Sequence, residues 1–326
     1  MKAALELAQR HRLQWWEALP WVAGIAVFYA FPNYLAFGTQ VLIAILFALS
    51  LDLVLGYAGI VTLGHAAFFG AGAYTVGILA QHFGWGEPLS GLAAAALVAG
   101  AIGLASGLVL LRTQGLTLLM LTLCTMSLLE QAANMGAAWT GGFDGMPGLA
   151  FGRVLGLFEF DVLYFRTQYL YALALLLVCF ALVRTLVYSS FGQSLTGIRE
   201  NLLRMHAVGA PVRARLVLAY TLSAALAGIA GALFAQTTGY VNLSVLGLER
   251  AAGVLILLIL GGYGRLYGAF VGAIAYMVLE HLLAKAYPTA WQLGIGLTLM
   301  AVALYARNGI LGLAEAVLRR FSGRKT

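Results

Sequence analysis

Four ionisable residues lie inside apolar stretches of this sequence, and they are the first candidates for chemistry. They are Asp52, His65, Glu130 and Glu280. A charged side chain at the centre of a bilayer costs about 2.5–3.5 kcal/mol on insertion scales, so such residues commonly mark an ion route or a substrate pathway. The chemistry that they can support is proton movement, ion movement or recognition of a polar solute.

These residues also have plainer interpretations. His65 is either a pathway or gate residue or a neutral histidine that hydrogen-bonds a loop carbonyl. Glu130 and Asn134 are one turn apart on one helix face, where they either line a polar lumen or hydrogen-bond a neighbouring helix. Glu280 lies near the end of its apolar segment and is interpreted as interfacial.

The composition predicts the class of protein in which these residues act. The chain has 326 residues, of which 62% are hydrophobic and 10% charged, whereas a soluble domain is about 45–50% apolar and about 25% charged. A soluble enzyme, a nucleic-acid-binding protein and a disordered scaffold are therefore excluded. At about 20 residues per span, we expect an all-α polytopic membrane protein in lipid, with about 8–10 transmembrane helices.

The apolar segments divide the chain into three regions. Residues 1–19 are predicted to form an amphipathic helix at the membrane surface, 20–306 the transmembrane domain and 307–326 a basic cytoplasmic tail. Pro32 predicts a bend, and the segment 250–262 is short enough to be a half-helix packed against protein. The predicted spans are 20–38, 39–56, 65–83, 89–111, 115–138, 167–187, 214–239, 250–262, 266–284 and 289–306.

Lys and Arg are unequally divided between the connecting segments. With ten spans and a cytoplasmic N-terminus, 15 of the 19 Lys and Arg residues fall on the inside, and Arg153, Arg166, Arg250 and Lys285 are counted outside. Cytoplasmic loops carry the excess of positive charge, so both termini are predicted to lie in the cytoplasm. The same rule explains the net charge of +7 without a nucleic-acid partner.

Two segments are too long to be minimal turns. Residues 139–166 fall outside the cell in this arrangement, and their Gly-Gly, Asp-Gly and Met-Pro-Gly steps are typical of turns. Residues 189–213 fall inside, where Gly197 and Gly209-Ala-Pro211 bracket a predicted helix of about ten residues. Its apolar residues recur at three- and four-residue steps, which predicts one amphipathic helix parallel to the membrane.

Glycine is the other organising feature, with 40 residues. Two clusters are too dense for a regular helix: Gly56-Tyr57-Ala-Gly59 with Gly64, and Gly261-Gly262-Tyr-Gly264. Breaks at membrane depth are tolerated only where the backbone is covered by protein or lines a cavity, and transporters place substrate at discontinuous helices. The clusters are therefore either broken, re-entrant segments along a pathway or plain tight connections.

Catalytic motifs are missing. A phosphate-binding loop needs Gly-Lys-Ser or Gly-Lys-Thr, and the lysines are Lys2, Lys285 and Lys325. The five histidines are scattered, and no Gly-x-Ser-x-Gly pentad occurs. We expect a transport subunit that is no enzyme and holds no cofactor or metal of its own.

Five motifs, in order over about residues 40–312, resemble the LivM-type permease of branched-chain amino acid ABC importers. The first is the run GYAGIVTLGHAAFFGAGAY from Gly56 to Tyr74. The others are TGGFDG at 140–145, GIREN at 197–201 with AVG at 207–209, SAALAGIAGA at 223–232 and LGGYGRLYGA at 260–269.

The resemblance implies a multi-pass protein of the bacterial inner membrane with a fold similar to the ribose and vitamin B12 importer permeases. It implies four kinds of partner: a LivH-type permease, two cytoplasmic ATPase subunits, a periplasmic substrate-binding protein and membrane lipid. ATP and Mg would be used by the ATPase subunits and not by this chain.

The resemblance also assigns roles to residues. Segment 194–209 would be a coupling helix seated on an ATPase, through Gly197, Ile198, Arg199, Glu200, Asn201, Arg204, His206 and Gly209. Segment 139–166 would face the binding protein, through Thr140, Gly141, Gly142, Asp144 and Gly145. The substrate pathway would involve Gly56, Tyr57, Gly59, Gly64, His65, Phe68, Phe69 and Tyr74, joined by Glu130 and Asn134.

Alternatives remain for the substrate and for the energy source. Relatives of this permease also carry other amino acids, urea, amides or aromatic acids. A stand-alone secondary transporter would instead use Asp52, His65 and Glu130 as a proton or ion route. Such a protein would stop transport when the proton gradient collapses and would be insensitive to ATP depletion.

Overall fold

A computed structural model describes residues 15–152, 165–288, 290–305 and 309–312. The predicted surface helix at 1–19, the end of the 139–166 segment and the tail at 307–326 fall wholly or largely outside these residues. The helices are α1 Leu19–Ala30, α2 Leu35–Asp52, α3 His65–Phe83, α4 Pro88–Leu110, α5 Leu116–Met135, α6 Ala137–Thr140, α7 Phe165–Tyr188, α8 Ser190–Glu200, α9 Leu202–Ala207, α10 Val212–Thr238, α11 Leu248–Gly261, α12 Gly268–Ala286 and α13 Trp291–Tyr305.

Seven helical segments in the described ranges are long and apolar enough to cross a membrane. They include α4, α5, α7, α10 and α12, together with α2 and α11 extended by their flanking turns to 32–57 and 243–261. Three further helices are not among these seven. α3 has 19 residues and is about 28 Å long at 1.5 Å per residue, whereas α1 has 12 residues and α13 has 15. The prediction of an all-α polytopic membrane protein is confirmed.

The first break in the bundle lies at Pro32. α1 ends at Ala30, Phe31 leaves the helical conformation, and a 3₁₀ turn at Pro32–Tyr34 leads into α2. Proline has no N–H to donate and disfavours a helical residue before it. The boundary predicted between 38 and 39 is therefore wrong, because the chain breaks before α2 instead.

The centre of the protein is formed by α2 and α10, most of whose surface is buried. α10 packs against α2, α3 and α4, and small residues bring the backbones together. A Cβ at Gly72 would lie 2.1 Å from the Gly228 carbonyl oxygen, and one at Gly231 would lie 1.8 Å from the Phe69 carbonyl oxygen. Since lipid gives no hydrophobic drive for helix association, this close packing holds the bundle together.

The two ends of α3 lie at opposite faces of the bundle. The loop before α3 contacts Arg199 of α8 through Gly59. At the other end, a His82 ring nitrogen is 3.1 Å from the Trp139 carbonyl oxygen. Because α3 is about 28 Å long, the 139–152 loop and the α8–α9 segment are separated by the thickness of the bundle.

The prediction of a single amphipathic helix in the α8–α9 segment is wrong in one respect, because the segment forms two helices. Ser189 caps α8, and Asn201 is extended, with its Oδ1 accepting a hydrogen bond from the Arg204 N–H at 2.9 Å. An Asn side chain that satisfies a free N–H at a helix start favours a new helix over continuation of the old one. Gly197 accordingly lies inside α8 and does not mark its beginning.

Candidate functional site

One cluster joins the two glycine-rich breaks to α8. α2 continues as a π-helical turn, Leu53–Tyr57, and the Arg199 guanidinium donates a hydrogen bond to the Gly56 carbonyl there. The Gly264 N–H donates to Asp52 Oδ1 at 2.6 Å. π-helical turns inside α-helices often occur at functional sites. We call Asp52, Gly56, Gly59, Arg199 and Gly264 the break cluster.

Glycine at these positions is required by space. A Cβ on Gly56 would lie 2.0 Å from Asp52 Oδ1 and 2.4 Å from the Gly264 nitrogen. Asp52 is 1% exposed, and Arg199 is near enough to attract its carboxylate. A cavity of about 620 Å³ is lined by Gly59, Arg199 and Gly264. The break cluster thus combines a buried acid, a basic side chain and irregular backbone beside open space.

The remaining residues of the predicted coupling segment lie on the same face. Glu200, Asn201, Arg204, His206 and Gly209 are exposed. Ile198 is buried, whereas Leu203 of α9 and Val208 after it are 81% and 77% exposed. The segment therefore presents charged and apolar side chains outward while Arg199 ties it to the bundle.

His65 lies in the core between helices. It is 1% exposed, its Nε2 is 2.9 Å from Ser50 Oγ, and its ring stacks on Phe47 at a centroid distance of 5.5 Å. Phe68 packs edge-on against the same imidazole. In this conformation His65 and Phe68 fill the core. The imidazole contacts the hydroxyl of Ser50, whereas the plainer interpretation of the sequence had expected a loop carbonyl as its partner.

Other predicted pathway residues are distributed along α3 and α5. Gly64 packs against the Thr122 backbone, and Tyr57 is partly buried beside the break cluster. Glu130 on α5 is partly buried, and Tyr74 on α3 is 5% exposed. Asn134, one turn further on, is partly buried. Gly64, Tyr74, Glu130 and Asn134 therefore lie outside the break cluster.

The 139–152 loop is tightly turned. Gly141, Gly142 and Gly145 have positive φ angles, and Thr140 Oγ1 donates to the Ala133 carbonyl at 2.5 Å. Asp144 is exposed. Phe143 between them is 87% exposed, so the loop presents an aromatic ring outward.

One charged group in the bundle was missed by the sequence, because Arg250 was counted in an external loop. It lies in the first turn of α11, where its guanidinium is 4.8 Å from the centre of the Phe234 ring and 5.4 Å from that of Phe69. It borders a cavity of about 260 Å³ that Glu249 and Glu280 also line. The available signal was an arginine followed directly by the apolar segment 251–262.

The fold and these sites can be compared with known proteins. A family model described as "Branched-chain amino acid transport system / permease component" matches residues 33–304. This defines the class of protein as a membrane-embedded transport permease. No solved structure matches the chain.

Curated relatives agree with the family match. The chain is 29% identical over 311 residues to the high-affinity branched-chain amino acid transport system permease protein LivM of Salmonella typhimurium, covering 88% of this chain and 72% of that protein. It is 28% identical to LivM of Escherichia coli K12, covering 87% and 71%. The autoinducer 2 import system permease protein LsrC of Klebsiella pneumoniae is 34% identical over 108 residues, covering 32% of this chain and 31% of that protein.

The chain belongs to the branched-chain amino acid transport permease family. It is a multi-pass inner-membrane permease subunit of an ABC importer, an assembly that contains further subunits.

Proposed function

We propose that this chain carries branched-chain amino acids across the membrane in a complex with a LivH-type permease, two cytoplasmic ATPase subunits and a periplasmic substrate-binding protein. The sequence identity of 29% and 28% to the two LivM proteins, over most of the length of this chain, supports this choice of substrate. Both termini and the α8–α9 segment are in the cytoplasm under this proposal. ATP and Mg are used by the ATPase subunits.

The observation that carries the proposal is the surface of the α8–α9 segment. Leu203 and Val208 are largely exposed beside Arg204 and His206, and exposed apolar residues rimmed by polar ones are typical of an interface with another protein. Through its hydrogen bond to the Gly56 carbonyl, Arg199 connects the segment to the break cluster. A segment that is covered by an ATPase and tied to the spanning helices is suited to carry an ATP-driven movement inward.

The opposite face supports a second contact. The 139–152 loop exposes Phe143 at the far end of α3, where a periplasmic binding protein would dock. Thr140, Gly141, Gly142 and Gly145 shape this loop, and Asp144 is available for a polar contact.

The proposal is tested with two surface variants that serve as each other's control. Leu203→Asp should remove the ATPase subunits from the complex extracted from its native membrane, as detected by mass spectrometry. Phe143→Asp should retain the ATPase subunits but reduce the stimulation of ATP hydrolysis by the loaded binding protein. If the wild-type chain purified without any partner subunit and leucine uptake persisted without ATP, the proposal would be contradicted and ion-driven transport would be favoured.

A further inference from the structure

The cavity beside Arg250 is lined by both charged and apolar side chains. Its charged residues are Glu249, Arg250 and Glu280. Aliphatic and aromatic side chains of α2 and α11, among them Ile43 and Leu257, form an apolar wall of the cavity. At about 260 Å³ the cavity is smaller than a typical drug-sized pocket of about 300–1,000 Å³, so it suits a small polar molecule with an apolar side chain.

Arg250 is held in position by the two aromatic rings. Its guanidinium lies over Phe69 and Phe234, and cation–π contacts of this kind orient the planar group. Glu249 and Glu280 line the same cavity as Arg250. An arginine that is fixed by aromatic faces keeps its N–H groups for a planar carboxylate, which it binds in a bidentate manner.

The two carboxylates provide the complementary charge. Glu280 is partly buried on α12, and Glu249 is exposed beside Arg250 on α11. Ion pairs in apolar surroundings persist where each charge finds a partner. A ligand that carries one negative and one positive group can therefore place the first on Arg250 and the second between Glu249 and Glu280.

We propose that this cavity binds a zwitterionic α-amino acid with an aliphatic side chain. The carboxylate of the ligand accepts hydrogen bonds from Arg250, its ammonium donates to Glu280 and Glu249, and its side chain packs against the α2–α11 wall. This inference rests on the proposed function, and it assigns a substrate site to residues outside the predicted pathway, except for Phe69. Neutral amides, urea and aromatic acids each lack at least one of the two charges.

The test uses the complete membrane complex in lipid nanodiscs without the binding protein, so that selectivity comes from the permease. Binding is measured by calorimetry with L-leucine, with leucinamide, which lacks the carboxylate, and with 4-methylpentanoate, which lacks the ammonium. We expect the wild-type complex to bind leucine at least about tenfold more tightly than either analogue, since each lost contact is a charge-assisted hydrogen bond.

Two variants should each abolish the discrimination against one of the two analogues. Arg250→Gln should bind leucine and leucinamide equally, and Glu280→Gln should bind leucine and 4-methylpentanoate nearly equally. Arg166→Gln, an exposed arginine in the first turn of α7, is the matched control and should bind leucine as the wild type does. Arg250→Lys retains the charge, so it should bind leucine more tightly than Arg250→Gln and keeps the test available if the Gln variant fails to assemble.

Failure of this inference can be told from failure of the proposed function. If the wild-type complex with its binding protein imports leucine into proteoliposomes, but Arg250→Gln and Glu280→Gln leave leucine binding and selectivity unchanged, the site is overturned and the function stands. The site is also overturned if that importing complex binds no leucine in the nanodisc. If the wild-type complex imports no branched-chain amino acid, the proposed function itself is wrong.

Discussion

The Arg199 side chain of α8 reaches the Gly56 carbonyl in the π-helical turn that ends α2, across 143 positions of sequence. The same side chain lies against Gly59 and attracts the Asp52 carboxylate. Arg199 thus joins the exposed α8–α9 segment to the helix at the centre of the bundle.

Replacing Arg199 with Ala should weaken both folding and transport. The Gly56 carbonyl loses its donor and Asp52 loses a nearby positive charge, so we expect a loss of about 1–2 kcal/mol in the free energy of unfolding. Arg199→Lys should fall between wild type and Ala. Thermal unfolding of the purified complex measures the first effect and ATP-driven uptake the second. Arg112→Ala, at an exposed arginine in the turn after α4, is the control, with an expected change within about 0.5 kcal/mol.

Replacing Gly59 with Ala tests the contact with Arg199 separately. Gly59 has a φ of +73°, and a Cβ there would lie 2.7 Å from Arg199 Cγ. Gly209 has a φ of +80° with no atom within 4 Å of its Cβ position, so Gly209→Ala measures the backbone cost alone, about 1–2 kcal/mol. We expect Gly59→Ala to lower the unfolding temperature more than Gly209→Ala. Equal losses would mean that the side chain of Arg199 moves aside freely.

Asp52 should tolerate Asn better than Ala. Asn keeps a carbonyl oxygen for the Gly264 N–H, whereas Ala leaves that donor unpaired at a cost of about 1–3 kcal/mol. The measurement is chemical unfolding of the two variants, with Asp144→Asn on the exposed loop as the control. If Asn proved as destabilising as Ala, the charge of Asp52 would matter more than its hydrogen bond.

Ser50 provides a test of whether His65 has a structural or a transport role. Ser50→Ala removes the hydroxyl that the imidazole contacts and leaves the packing against Phe47 and Phe68 intact. We expect a loss of about 1 kcal/mol in stability and unchanged uptake per assembled complex. Loss of uptake in a fully stable Ser50→Ala complex would return His65 to the substrate pathway.

The helical class and its segments were predictable because apolar runs of spanning length leave few alternatives in a bilayer. The break at Asn201 also had a signal, since Asn at a helix start is a common cap. The spacing of the apolar residues Ile198, Leu202 and Met205 did not reveal the break, because this spacing is compatible with one continuous helix as well as with two.

The break cluster and the Arg250 cavity were not predictable from one sequence. Gly56 and Gly264 are separated by 208 positions and have no side chains whose pattern reveals a partner. Arg250 appeared to be a loop residue because periodicity does not show that Phe69 and Phe234, on two other helices, cover it. Contacts between distant helices depend on how the bundle packs, which local patterns do not record.

The antiparallel pairing of Met146 with Val241 joins the 139–152 loop to the segment that leads into α11. Their backbones exchange hydrogen bonds of 2.7 and 3.2 Å, and Val241 is followed closely by the turn Leu243–Val245 and by α11. α11 is about 21 Å long; Arg250 lies at its near end, and the chain just past its far end reaches Asp52 through Gly264. The backbone therefore runs from the pairing with the 139–152 loop through α11 to the break cluster, so that one helix connects the two regions.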